Sequence, residues 1–553
     1  MAARLATLLV AAIVGTTLIA GLIVGAQRAD ESGPVDLIIH NAKVYLADDP
    51  GSTAEAVAVR GNKILKVGSE REIMRLKKPQ TAVVDAKGAS VLPGFDDAHA
   101  SLVDGGLASE DVQLFGARTL DDIRARIEEY TAAHPEQVWI VGRGWSYDAV
   151  QDPTRAQLDA IVRDRPVKLL SHDGRTAWVN SRALTAAGIT KRTASPRNGT
   201  IAHDRRGDLT GILEGEAMTL VDRVAPRATR EERARGLELA IREAQRRGIT
   251  SVQDFGAAAG DLDLYDAARE AGTLGVRVYA SVSGSTAVDD LEALRERFPD
   301  DPLLKTGLVT IALDGAVESQ EAAMLVPYTP KGAAEGRLST TPSELSRLVS
   351  ELDSRGWQVA VEASGDRAVR VALDALGAAG KEPNGGKARR HRVEGLAVID
   401  AEDIPRFASL GVVASLQPLR SADTLNNWSR LLGPERSALG WPARSLSAAG
   451  AHLAFGSDWP LLPLDPLEGI RAAVRRAEVH EPEQLTLKSA INGWTSGAAF
   501  ASFDDHRKGT LKAGMLADIV ILSTDIFAGP AKLKAAEVVI TIFDGKIVYR
   551  RPS

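Results

Sequence analysis

Over roughly 400 residues in its middle the chain keeps one rhythm: a short apolar run stops at a polar residue, and a helical stretch of ten or more residues follows. The runs include "VKLLSHDG" (167–174), "TSVQDFG" (250–256), "VTIALDG" (309–315), "QVAVEASGD" (358–366), "VVASLQP" (412–418) and "HLAFGSDWP" (452–460). Helical stretches include 230–248 and 341–356. In the second, Thr341 is placed to cap the helix and Glu344, three residues on, to complete a capping box. Strands that alternate with helices pair in parallel, because a crossover helix returns each strand to the same edge. Buried-strand composition at this length predicts an α/β fold, a (β/α)8 TIM-like barrel, over residues 93–505. More than eight strand candidates are present, with "WIVGRG" (139–144) and "VRVYASV" (276–282) in surplus, so an insertion is expected within about 110–240.

The two ends have another texture. Short alternating runs at 35–47, 56–68 and 81–94 are punctuated by Gly61-Asn62 and Lys87-Gly88, and the same pattern returns at 508–522 and 537–550 with an Asp544-Gly545 turn. Residues 35–92 and 506–553 are therefore expected to form one small composite β-sandwich domain.

Composition excludes several function classes. Net charge is −6, with 25% charged and 5% aromatic residues among 553, a balance that suggests no nucleic-acid partner. The basic run Lys387–Arg392 reads as a solvated loop edge. Without cysteine there are no disulfides, thiolate metal sites or cysteine nucleophile. Residues 1–34 carry an address: Leu5 to Ala26 is a run of 22 residues without charge. That length suits a membrane anchor, with the bulk outside the cytoplasm. Val24-Gly25-Ala26 also fits a signal-peptide cleavage site, which gives a secreted protein. Export is expected either way.

In a barrel, chemistry sits where strands end at the C-terminal face. The polar residues there are His99, Asp173, Asp254, Asp314, Glu362, Glu394, Gln417 and Asp458. Taken singly, each is more often a residue bonding loop backbone than a catalyst. Ser101 and His99 lack an orienting third group for nucleophilic catalysis, and no GxSxG elbow occurs in a strand–turn–helix setting.

The stretch "LPGFDDAH" (92–99) resembles the first-strand motif of the amidohydrolase superfamily, most closely its family 3 branch. "RGWSYD" (143–148), "DGRTAWVNSRAL" (173–184), "LDGAVESQEAAMLVPY" (313–328), "RHRVEG" (390–395), "GSDWP" (456–460) and "KGTLKAGMLADIVIL" (508–522) match in order, so the resemblance runs from about 35 to 550. It implies hydrolysis of C–N bonds other than peptide bonds, with one or two divalent metals activating water. The family's ligand pattern is only partly kept. Its first histidine is His99, but its second is Ser101, its lysine is Thr310, its later histidines are Glu362 and Gly395, and its pocket histidine is Arg175. Its aspartate is Asp458.

Two readings follow. In one, His99, Glu362 and Asp458 hold a single divalent metal (zinc, manganese or iron), and Asp458 also moves the water proton. In the other, the pocket is metal-free and catalytically inactive: Arg175 and Arg420 supply positive charge beside Asp458 and Glu362, and a pocket that includes Asp173 binds a small anionic or zwitterionic ligand. A scaffold for another protein is a third class, but no long exposed apolar run supports it.

Overall fold

The architecture is that of a computed structural model, which describes residues 34–46, 53–197, 199–257, 259–329, 335–380, 387–423, 425–475 and 483–552. The uncharged segment 5–26 lies outside the described residues, among which no helix is long and apolar enough to cross a membrane.

Eight parallel strands form the barrel: β1 (Phe95–Ala100), β2 (Ile249–Asp254), β3 (Arg277–Ser283), β4 (Leu304–Ala312), β5 (Gln358–Glu362), β6 (Arg392–Glu394), β7 (Val413–Leu416) and β8 (Leu453–Phe455). Each pairs with its neighbour in chain order, and a parallel bridge from Ala100 to Trp459 draws the ring together. Every residue of β2 is buried, as expected where a strand is covered on both faces. The helix Arg230–Arg246 shows why the crossovers form. Thr229 accepts from the Glu232 backbone in a capping box, and Leu237, Ala240, Ile241 and Ala244 bury one face at helical spacing. The expected box at Thr341 and Glu344 is present too.

Strand assignment differs from expectation in two places. "VRVYASV" is not surplus but barrel strand β3. "VKLLSHDG", read as part of the barrel rhythm, belongs to a separate six-stranded sheet that also takes in Ile140–Trp145 and Leu209–Gly215. Apolar runs of five residues look alike in either sheet, because both bury them. In this inserted sheet Val167–Ser171 and Thr176–Val179 pair antiparallel, so His172, Asp173, Gly174 and Arg175 form a hairpin tip. Gly174 sits at φ 72°, and a Cβ there would lie 2.7 Å from Leu461, so the tip reaches the loop after β8.

The chain ends form a sandwich of a four-stranded and a six-stranded sheet. Its core mixes both ends, with Leu37, Ile39, Val57 and Val59 among Val91, Ile519, Ile521 and Ile542. The strand Ser90–Pro93 pairs antiparallel with Ile519–Leu522. Asp544 and Gly545, both at positive φ, make the expected hairpin turn. The basic run 387–392 is not a solvated edge. Arg390 pairs with Asp505, while His391 and Arg392 are buried against Asp353 and Glu394, because the run enters β6 and the interior.

Candidate functional site

His99 and Asp458 meet because two strand ends are fastened together. The backbone N–H of Asp458 donates to the His99 carbonyl at 2.8 Å, and that of Ser457 to Asp97 Oδ1 at 2.9 Å. A Cβ on Gly456 would stand 2.5 Å from both Cβ and N of His99, so only glycine allows this approach. Asp458 itself has φ 64°, the left-handed region that costs a non-glycine residue about 1–2 kcal/mol. Such strain persists only where surrounding structure enforces it.

The His99 ring is fixed on three sides. It stacks on Phe255 with centroids 4.1 Å apart, its Nδ1 lies 3.0 Å from Glu394 Oε2, and its Nε2 lies 3.6 Å from Asp458 Oδ1. Burial works against the imidazolium, but Glu394, Asp458 and Glu362 outweigh it and raise the His99 pKa. Behind His99, Glu394 Oε1 takes Arg392 at 2.6 Å, with both side chains wholly buried. Burial disfavours the Glu394 carboxylate; Arg392 and His99 reverse this and hold its pKa below the usual range. Arg392 also donates to the Ala98 carbonyl at 2.8 Å and to Gln253.

On the other side, Arg420 grips Asp458. Its Nε donates to Asp458 Oδ2 at 2.5 Å, and its Nη2 reaches the same oxygen. Burial lowers the Arg420 pKa, but Asp458, Glu318 and Asp173 more than offset it, and the pKa rises. Basic and acidic side chains thus alternate in a row: Arg392, Glu394, His99, Asp458, Arg420. Glu362, ending β5, stands beside this row with its carboxyl raised first by burial and further by Glu394 and Asp458, against His99 and Arg175.

The remaining expected residues are placed as follows. Asp173 organises the hairpin tip, accepting from Ser171 Oγ at 2.5 Å, the Arg175 N–H at 3.1 Å and Tyr147 OH at 3.3 Å. Among the described residues Arg175 makes no ion pair, yet its charge favours the ionised forms of Glu362 and Asp314. Asp314 accepts the N–H groups of Ala323, Ser364 and Gly365, and burial pushes its pKa up to about 7. Asp254 accepts from Leu102 N–H at 2.9 Å and Tyr265 OH at 2.5 Å, and burial pushes its carboxyl too up to about 7. Neither end of the buried Gln417 amide has a partner among the described residues. Sequence reasoning gave Glu394 no role and missed Arg392, Gln253 and Phe255. The signal was available in "RVE": residues two apart on a strand share a face, so Arg392 and Glu394 were placed to pair.

The sequence profile of the Amidohydrolase family matches residues 82–549. The chain belongs to the amidohydrolase family. Among curated relatives, this amidohydrolase-family chain is 32% identical to Protein LONG AFTER FAR-RED 3 of Arabidopsis thaliana, over 93% of this chain and 91% of that one. It is 28% identical to N-substituted formamide deformylase of Arthrobacter pascens, over 93% and 98%. Among solved structures, an uncharacterised metal-dependent hydrolase from Pyrococcus horikoshii OT3 shares the fold with a TM-score of 0.72 at 24% identity, covering 90% of this chain and 99% of that one.

The donors in this amidohydrolase-family site do not fit a divalent metal centre as they are placed. Catalytic zinc takes about three protein ligands. Here Asp458 Oδ2 is engaged by a guanidinium and Ser101 Oγ by the Phe255 carbonyl at 2.7 Å. Gly395 has no side chain to offer, and Thr310 Oγ1 lies 3.4 Å from the Val282 carbonyl. Among the described residues no three imidazole or carboxylate groups converge to hold a metal ion.

Proposed function

We propose that this member of the amidohydrolase family captures a small polar molecule at the C-terminal mouth of its barrel without a metal ion. The observation that carries this reading is the Arg420–Asp458 ion pair, which sets a fixed positive charge on the family's metal-binding aspartate. A guanidinium is permanently charged and needs no ligand set, so it supports the pocket electrostatically where all but the first of the family's histidines are replaced. It activates no water, which makes recognition rather than hydrolysis the activity best supported.

Hydrolysis of a non-peptide C–N bond is the second reading. The family and the name of the Arthrobacter relative support it, as does one local feature. Glu362 is a carboxyl raised towards neutrality beside the carboxylate of Asp458, an arrangement suited to general acid–base chemistry. A single zinc, manganese or iron on His99, Glu362 and Asp458 would have to share the Asp458 carboxylate with Arg420, whose positive charge opposes it. Metal content of the full-length protein after incubation with excess ions, with a screen of N-substituted formamides and cyclic ureas, separates the readings. No metal and no turnover uphold recognition; about one equivalent of metal, with turnover lost in Asp458→Asn, replaces it with hydrolysis. The uncharged segment 5–26 supports export, anchored or secreted, which cell fractionation tests.

A further inference from the structure

Beside the His99–Asp458 row, the seam between inserted sheet and barrel holds two neighbouring cavities of about 1050 and 590 Å³. Arg175, Arg197, Arg337 and Glu321 line both. Among the described residues none of these three guanidinium groups has an ion-pair or side-chain hydrogen-bond partner. That is unlike Arg420 or Arg392, each of which meets a carboxylate. Carboxylates line the same space, and two of them meet neutral donors: Ser319 Oγ stands 3.2 Å from Glu321, and Trp428 Nε1 2.9 Å from Glu318. Glu214 is raised by burial, against a hydrogen bond from Thr200, and Glu321 and Asp173 add to the effect. Arg175, Arg197 and Arg337 thus face this space without a paired carboxylate among the described residues, and Glu214 and Glu321 line it too. A guanidinium fork matches the paired oxygens of a carboxylate or phosphate, and a crowded carboxylate pair favours a cationic guest.

We propose that this seam recognises a zwitterionic small molecule, its carboxylate or phosphate held by Arg175, Arg197 and Arg337 and its ammonium group by Glu214 and Glu321. The inference rests on the reading of the barrel mouth as a ligand pocket and names the class of ligand. Arg175, which also acts on Glu362, links the seam to the central row.

Titration calorimetry on the full-length protein tests it with four probes. Glycylglycine and phosphoethanolamine are zwitterions ending in carboxylate and phosphate; N-acetylglycine and glycinamide carry one charge each. Saturable binding of at least one zwitterion, about tenfold tighter than both single-charge probes, is the expected result, and its identity settles which anion is preferred. The double variant Arg197→Gln/Arg337→Gln, both positions exposed, should bind that probe at least about tenfold more weakly with an unchanged melting temperature. No saturable binding by either zwitterion, equal binding by a single-charge probe, or undiminished affinity in the variant overturns the proposal. Metal content of the same samples keeps the two readings apart. Metal-free protein that ignores the zwitterions retires this inference alone, whereas metal-loaded protein that binds them retires the metal-free reading alone.

Discussion

The carboxylate of Asp458 is shared between Arg420 and His99: both Nε and Nη2 of Arg420 meet its Oδ2, while its Oδ1 faces His99 Nε2 at 3.6 Å. Removing one partner of a partly buried pair costs more than removing both, because the survivor keeps its desolvation penalty. Arg420→Gln is therefore expected to destabilise the protein, and adding Asp458→Asn to recover much of the loss. The coupling in a double-mutant cycle should be about 1–3 kcal/mol by urea unfolding. Additive effects would show that the pair is not a unit.

Arg392 and Glu394 make a stronger case, since neither side chain is exposed at all. Glu394→Gln leaves a buried guanidinium without its counter-ion and His99 Nδ1 without a charged partner. A loss of about 3–5 kcal/mol is expected from the denaturation midpoint, larger than for Arg420→Gln. A loss within about 0.5 kcal/mol, the range of ordinary surface substitutions, would show that Arg392 has another compensating partner.

Buried Asp254 gives the protein a pH dependence of defined sign. Its carboxyl moves from an ordinary 3.8 up to about 7 in the fold. Between those values the folded chain holds a proton that the unfolded chain releases. The stability this provides is fully present below the unfolded pKa and lost as pH rises through the folded one. Asp254→Asn still accepts from Leu102 N–H, and should flatten the fall in stability across that window by up to about 1.4 kcal/mol per pH unit. Asp97 and Asp314, also raised to about 7, keep some slope in the variant. An unchanged slope in thermal melts would assign the pH response elsewhere.

Gly456→Ala tests how tightly His99 and Asp458 are fastened. The added methyl group would stand 2.5 Å from the His99 backbone and Cβ, which cannot both yield without moving β1 or β8. Overpacking of this kind costs about 1–3 kcal/mol, and weaker binding at the pocket should accompany the lower melting temperature.

What the sequence disclosed was what is local. The Thr341 cap, the Asp544-Gly545 turn and the sandwich strands are set by neighbours within a few residues, and each was legible. Sheet membership was not, because the five buried residues of "VKLLS" satisfy either the barrel or the inserted sheet, and only the hairpin at Asp173 decides. The central row was half legible. Lost ligands at 101, 310 and 395 pointed to a compensating arginine; Arg420 does lie on Asp458, while Arg175 makes no ion pair among the described residues and lines the seam. Phe255 under His99 was invisible, since stacking between the ends of neighbouring strands leaves no periodic trace.

The sandwich sets a timetable for synthesis. Ser90–Pro93, which leads straight into the strand bearing His99, receives its antiparallel partner Ile519–Leu522 only after more than 400 further residues have been made. At about 5–20 residues per second, the edge of that strand waits on the order of tens of seconds in a growing chain. Translation that stops short of Ile519 leaves a nearly complete barrel with an open strand edge at its base, a surface that invites pairing with other chains. The last few dozen residues therefore act as a quality gate: a chain without them has its pocket residues but leaves the edge of Ser90–Pro93 open to aggregation.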